Sequence, residues 1–153
     1  MSTVPELATL QPTTVAVVRD TVRMRELPDF FGRVFHAVMT VAMDEDVEIT
    51  GPPFAQYFGV PDEAVEVAAG FPTARPVTPS HGVTASELPG GRVAQLLHEG
   101  SYDGLPDAYR RLMSWMDDQG LRPGEVMWES YLTEPPADAG ETARTLISWR
   151  VAD

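Results

Sequence analysis

Glu129 is the residue whose type and setting could do chemistry. It lies midway through the apolar run Val126-Met127-Trp128-Glu129-Ser130-Tyr131-Leu132. Side chains alternate along a strand. Glu129, Tyr131 and Thr133 then share one face, and Trp128, Ser130 and Leu132 share the other. A carboxylate in such a run is either an ordinary solvent-face residue or part of a lined cavity, and the strand pattern alone leaves both open. In a cavity, burial raises its pKa, and a cation entering beside it would displace the proton. Aromatic walls with one buried acid suit a flat apolar cation: the rings supply area and cation–π attraction, the acid the counter-charge. The candidate ligand-binding set is Glu129, Tyr131, Tyr57, Trp115, Phe31, Phe35, Met39 and Trp128. Trp128 fits worst, because alternation turns it away from Glu129. The seven methionines suit adaptable packing around varied ligands. Tyr102, in the turn from Gly100 to Gly104, is expected to pack over the start of a helix.

Other chemistries lack their residues. No phosphate-binding glycine loop, dinucleotide fingerprint, zinc-protease helix or serine-hydrolase elbow is present. With zero cysteines, thiolate nucleophiles, disulfides and cysteine metal sites are excluded. His36, His81 and His98 are far apart, without a second ligand at metal spacing, so no metal or cofactor is expected. Asp44-Glu45-Asp46 lacks the glycine and closing glutamate of a calcium loop and reads as a solvated turn.

The elements that must position these residues repeat. Val15-Ala16-Val17 precedes Val93-Ala94-Gln95 by 78 residues, and Leu27-Pro28 precedes Leu105-Pro106 by the same interval. Phe31, Val34 and Val38 map onto Tyr109, Leu112 and Met116. Further on the offset is 74, and Phe54 to Tyr57 maps onto Trp128 to Tyr131, so a tyrosine follows the marked position in both copies. Each half reads β-α-β-β. In the first, a strand at Thr14 to Arg19 leads to a helix with Phe30, Phe31, Val34, Phe35, Val38 and Ala42 at helical spacing. Pro28 suits its first turn. Strands follow at Phe54 to Phe58 and around Val65 and Val67. In the second half, a strand at Arg92 to His98 leads to a helix from Leu105 that stops at Gly120, then to strands at Val126 to Thr133 and Thr142 to Val151, with a loop at Glu134 to Glu141. The prediction is an α+β fold: one domain, residues 1–153, of tandem duplicated units at 14–70 and 91–151. An antiparallel sheet and two main helices surround a central cleft, and the proline-rich stretch 71–90 is a linker.

The chain has 153 residues, one domain by size. Its 43 % hydrophobic content fits a folded globular chain. Asp and Glu number 23 against 11 basic residues, a net charge of −12, which repels phosphate backbones and argues against nucleic-acid binding. No apolar run nears the roughly 20 residues of a membrane span, and Met1 to Leu10 carries no signal-peptide pattern, so a cytoplasmic protein without a membrane partner is expected.

Taken in order, Gly51 to Tyr57, Glu66 to Pro72, Gly91 to His98, Glu99 to Pro106, Ala108 to Trp115 and Trp128 to Pro135 resemble the GyrI-like small-molecule-binding family, the effector-binding domain of AraC- and MerR-type regulators. The resemblance covers about Thr14 to Val151. It implies a duplicated β-α-β-β fold with a ligand cleft, and binding of bulky, apolar, often cationic drug-like molecules. It places the family's buried glutamate on Glu129 and its strand tyrosine on Tyr131. Relatives that hydrolyse reactive cyclopropane-type genotoxic molecules imply a second activity, with Glu129 as general acid–base and Tyr131 or Tyr57 steadying charge. Relatives that protect DNA gyrase imply a third role, through a protein partner. The DNA-binding domain of the fused regulators is not in this sequence, which turns the expectation from transcriptional control to binding or sequestration.

Overall fold

The computed structural model describes residues 4–58, 63–100, 104–132 and 144–152. In chain order the elements are β1 (Glu6–Leu10), β2 (Thr13–Arg23), a 3-10 turn (Met24–Glu26), α1 (Leu27–Asp44), β3 (Phe54–Phe58), β4 (Ala64–Pro72), β5 (Thr84–Leu88), β6 (Gly91–Glu99), α2 (Leu105–Asp118), β7 (Pro123–Tyr131) and β8 (Arg144–Val151). The fold class is α+β, as expected. The expected loop Glu134 to Glu141, the strand ends expected at Thr133 and Thr142, and Tyr102, for which a helix-start contact was expected, fall outside the described residues.

Two compact units divide the chain: Pro12–Pro89, and Met1–Gln11 with Gly90–Asp153. In the first, the strand order is β3-β4-β2-β5; in the second it is β1-β6-β8-β7. Every pairing within them is antiparallel. One helix packs on each sheet. α1 buries Leu27, Phe30, Val34, Val38, Val41 and Ala42, a stripe at three- and four-residue spacing. α2 buries Ala108, Leu112 and Met116 against Ala94, Leu96, Ile147 and Val151. A proline stands in the first turn of each helix, where its missing N–H leaves no bond unmade.

Both helices also end alike. Gly120 adopts φ 70° and Asp46 φ 55°, each in the left-handed conformation that closes a helix. The amides of Val47 and Leu121 reach back to the carbonyls of Ala42 and Met116. Asp46 lies 74 residues before Gly120, whereas Leu27 lies 78 before Leu105. α1 has 18 residues and α2 has 14, so the change of offset is about one turn of helix.

The stretch 71–90, expected as a linker, holds the end of β4 and all of β5. The N-terminal segment, for which no element was expected, holds β1. Glu6–Leu10 and Thr84–Leu88 are themselves 78 residues apart. Leu10 pairs with Gly91, and Leu88 pairs with Thr13 in the equivalent register. The strand ahead of each β-α-β-β run thus lies beside the first strand of the other run. These edge strands are short and largely exposed, so they carry little of the apolar signal by which strands are read. Among the described residues no helix is long and apolar enough to cross a membrane.

Candidate functional site

The unit containing β6, β7 and β8 places its polar residues by register. Glu129 pairs with Ile147, which pairs with Leu96. Ile147 and Leu96 belong to the core under α2, so Glu129 points to the α2 side of the sheet. Tyr131, Thr145 and His98 form the next row on that side, and Met127, Trp149 and Ala94 the row before it.

Glu129 is 7 % exposed. The Tyr131 hydroxyl donates to its Oε1 at 2.9 Å. The Tyr109 hydroxyl, from α2, donates to Oε2. The Tyr109 ring meets Trp149 edge-on at 6.3 Å, and the Trp149 indole N–H donates to the Gly124 carbonyl at 2.9 Å. No basic side chain among the described residues pairs with Glu129. Burial pushes its carboxyl above the ordinary range; the bonds from Tyr109 and Tyr131 pull the other way, and burial prevails. The result is an acid that two phenols hold in place and that lacks a counter-charge among the described residues.

Of the residues expected at the site, Glu129 and Tyr131 come together as the strand pattern predicted. Trp128 is buried on the opposite face, beside Ser148, whose hydroxyl accepts from the Gln95 amide at 3.1 Å. Trp115, six residues along α2 from Tyr109, packs at the edge of the core and borders a surface groove with Pro5, Arg110 and Arg111. A second groove, lined by Asp20, Glu26, Asp29 and Arg33, lies in the other unit. Neither groove includes Glu129.

Phe31, Phe35, Met39 and Tyr57 belong to the Pro12–Pro89 unit. The Phe31 and Phe35 rings stack at 5.8 Å and 11°, and Phe35 meets Phe71 edge-on at 5.6 Å. Met39 continues this stripe and is exposed. This unit repeats the site in apolar form. Tyr109 corresponds to Phe31 at the 78-residue offset. The register pair Tyr131–Thr145 corresponds to Tyr57–Val67, and Glu129 corresponds to Ala55. A hydroxyl, a carboxylate and a second hydroxyl therefore distinguish the polar copy from its duplicate.

Sequence reasoning treated Tyr109 as part of a helical stripe and did not single out Trp149. A signal existed for each. Tyr109 adds a hydroxyl to a stripe that otherwise carries none, and a half-buried phenol requires a partner. Trp149 alternates in phase with Ile147 and Val151.

Tyr109→Phe tests the arrangement. It removes one of the two bonds that favour the charged form, so the Glu129 carboxyl should titrate still further above the ordinary range. Loss of a hydrogen bond to a charged group should cost about 1.5–3 kcal/mol at neutral pH. Carbon-13 NMR of the carboxyl and urea denaturation check the two parts; an unmoved titration would remove Tyr109 from the site.

A comparison with curated proteins finds no significant match. Solved structures share the fold. The C-terminal domain of EcmrR is 19 % identical with a TM-score of 0.76, the match covering 97 % of this chain and 96 % of that one. A hydrolase from Listeria innocua is 14 % identical with a TM-score of 0.70, covering 99 % and 93 %. SAV2435 bound to tetraphenylphosphonium is 10 % identical with a TM-score of 0.62, covering 97 % and 93 %. The family model of the GyrI-like small molecule binding domain matches residues 3–152, and the chain, with its two duplicated units, belongs to that family.

Proposed function

We propose that this chain binds bulky, apolar, cationic molecules of drug-like size, with Glu129 as counter-ion. The observation that carries this reading is the buried carboxylate without a basic partner among the described residues. A carboxylate gains most from a cation where water is scarce, because the attraction is least screened there. Tyr109 and Tyr131 hold the acid in the ligand-free state and release an oxygen when a cation arrives. The edge of a phenol ring and the face of an indole then supply apolar contact. That SAV2435, of the same fold, was solved with tetraphenylphosphonium bound supports the ligand class.

A second reading rests on the two phenols. An acid with a raised pKa between two hydroxyl donors is equipped for general acid–base catalysis, with Glu129 moving the proton and Tyr131 steadying charge. Two solved hydrolase structures of the same fold, both from Listeria innocua, give it support.

A fluorescence titration with ethidium, at low and high salt, separates the two when the dye and a strained cyclopropane electrophile are both recovered and analysed by mass. Binding predicts saturation in the micromolar range, weak dependence on salt because the pair is buried, and both compounds unchanged. Hydrolysis predicts turnover of the electrophile. Absence of saturation by either compound overturns both.

A further inference from the structure

Thr145 is fully buried, and among the described residues its hydroxyl finds no hydrogen-bond partner. It stands in the row Tyr131–Thr145–His98 on the α2 side of the sheet, one row from Glu129. A buried hydroxyl without a partner has lost its water and gained nothing, so it calls for a reason. Packing is not that reason. The same place in the other unit is Val67, also fully buried, beside Tyr57 in the same register. Valine and threonine share a shape, and the fold is satisfied by either. What threonine adds is one donor and one pair of acceptor lone pairs.

The row is also closely held. His98 lies against Gly104 at the start of α2, where a Cβ would come within 2.8 Å of the ring. Tyr131 is the cross-strand neighbour of Thr145 and is at the same time bound to Glu129. A ligand that engages Glu129 therefore lies one row from the Thr145 hydroxyl.

We infer that the Thr145 hydroxyl is a binding group for a polar atom of the ligand, so that the site selects cations carrying a hydrogen-bonding amine or hydroxyl next to their apolar body. This rests on the reading of Glu129 as counter-ion and adds a specificity-determining residue to it.

Two permanent cations separate the terms. Ethidium carries exocyclic amines; tetraphenylphosphonium has no hydrogen-bonding group. Binding of both is measured by calorimetry for wild type, Thr145→Val, Thr145→Ser and Glu129→Gln, with thermal unfolding of each. Thr145→Val installs the residue the other unit already uses, so it should fold with equal or greater thermal stability. It should lose ethidium affinity roughly tenfold, about 1.4 kcal/mol, and keep tetraphenylphosphonium affinity. Thr145→Ser should retain both. Equal ethidium binding by wild type and Thr145→Val, with Glu129→Gln weakened toward both cations, overturns the inference and leaves the counter-ion standing. Equal losses for both cations in Thr145→Val also overturn it, since the effect would then come from packing. If wild type binds neither cation, or Glu129→Gln binds both as well as wild type does, the counter-ion reading fails and the inference with it.

Discussion

Glu129→Gln should weaken binding of a permanent organic cation at least tenfold, about 1.4 kcal/mol or more, while stabilising the ligand-free chain at neutral pH. Glutamine keeps the shape and one acceptor oxygen, puts a donor in place of the other, and removes the charge. The ligand loses its counter-ion in a setting that is 7 % exposed, where screening by water is slight. The chain loses a buried charge with no basic partner among the described residues, the kind of group whose desolvation outweighs its bonds.

The two effects have opposite pH dependences. The folded carboxyl titrates above the ordinary carboxylate range, near 4.3 for an unperturbed glutamate. Well below that value the group is protonated whether folded or unfolded, and the full contribution of its raised pKa to stability is present. As pH rises, the unfolded chain releases its proton first, and this contribution is lost until the folded group has ionised too. Glutamine has no such loss, so its stability advantage should open across that window and then hold constant. Affinity for the cation moves the other way, since the ligand needs the carboxylate. It should rise with pH through the folded group's titration in wild type and stay flat in the glutamine variant. Urea denaturation and calorimetry over pH 4 to 8 measure both. Parallel curves for the two proteins would show that Glu129 is neither the counter-ion nor a strained acid.

The legible part of this site was the part written within one element. Glu129 and Tyr131 are two residues apart on one strand, so alternation alone brings them to the same face, and 2.9 Å separates their polar atoms. Tyr109 lies on α2 and reaches Glu129 by helix-on-sheet packing, and Trp149 lies on β8 and is placed by strand pairing, neither of which sequence spacing encodes. The repeat was legible because it follows hydrophobic order. β1 and β5 were missed because they are exposed edge strands, set by hydrogen-bond pairing with β6 and β2 rather than by an apolar pattern. The internal duplication shows more once pairing is known. Phe31 for Tyr109, Ala55 for Glu129 and Val67 for Thr145 mark what the fold requires, and the differences mark what was added to it.

Gly70 shows the same gap between pattern and packing, and Gly70→Ala should have the largest effect on stability of any methyl-sized change discussed. In the sequence it closes the first repeat unit, just ahead of the proline-rich stretch 71–90 expected as a linker. In the fold it is an interior residue of β4, paired with Val17 on one side and Phe54 on the other. A Cβ at this position would lie 1.8 Å from the Ala16 carbonyl oxygen and 2.9 Å from its carbon. Those are backbone atoms of a buried central strand, so no flexible side chain can give way. Relief requires separating β2 from β4, the pairing that holds the unit together. The expected loss is above about 4 kcal/mol, in the range that marks a specific steric failure and a large share of the 5–15 kcal/mol by which domains are typically stable. Gly32→Ala is the control. It lies inside α1 with nothing within 4 Å of its would-be Cβ, and removing a helix-interior glycine should stabilise by about 0.5–1 kcal/mol. Urea denaturation of both variants decides the matter, and a cost below 1 kcal/mol at Gly70 would mean that β2 and β4 do not approach as described. The consequence reaches the next residue, Phe71, whose ring meets Phe35 edge-on and whose backbone pairs with Ala16. A shift of β4 large enough to admit a methyl group would move that ring. Gly70→Ala should therefore disturb the aromatic stack while leaving the bonds to Glu129, in the other unit, intact.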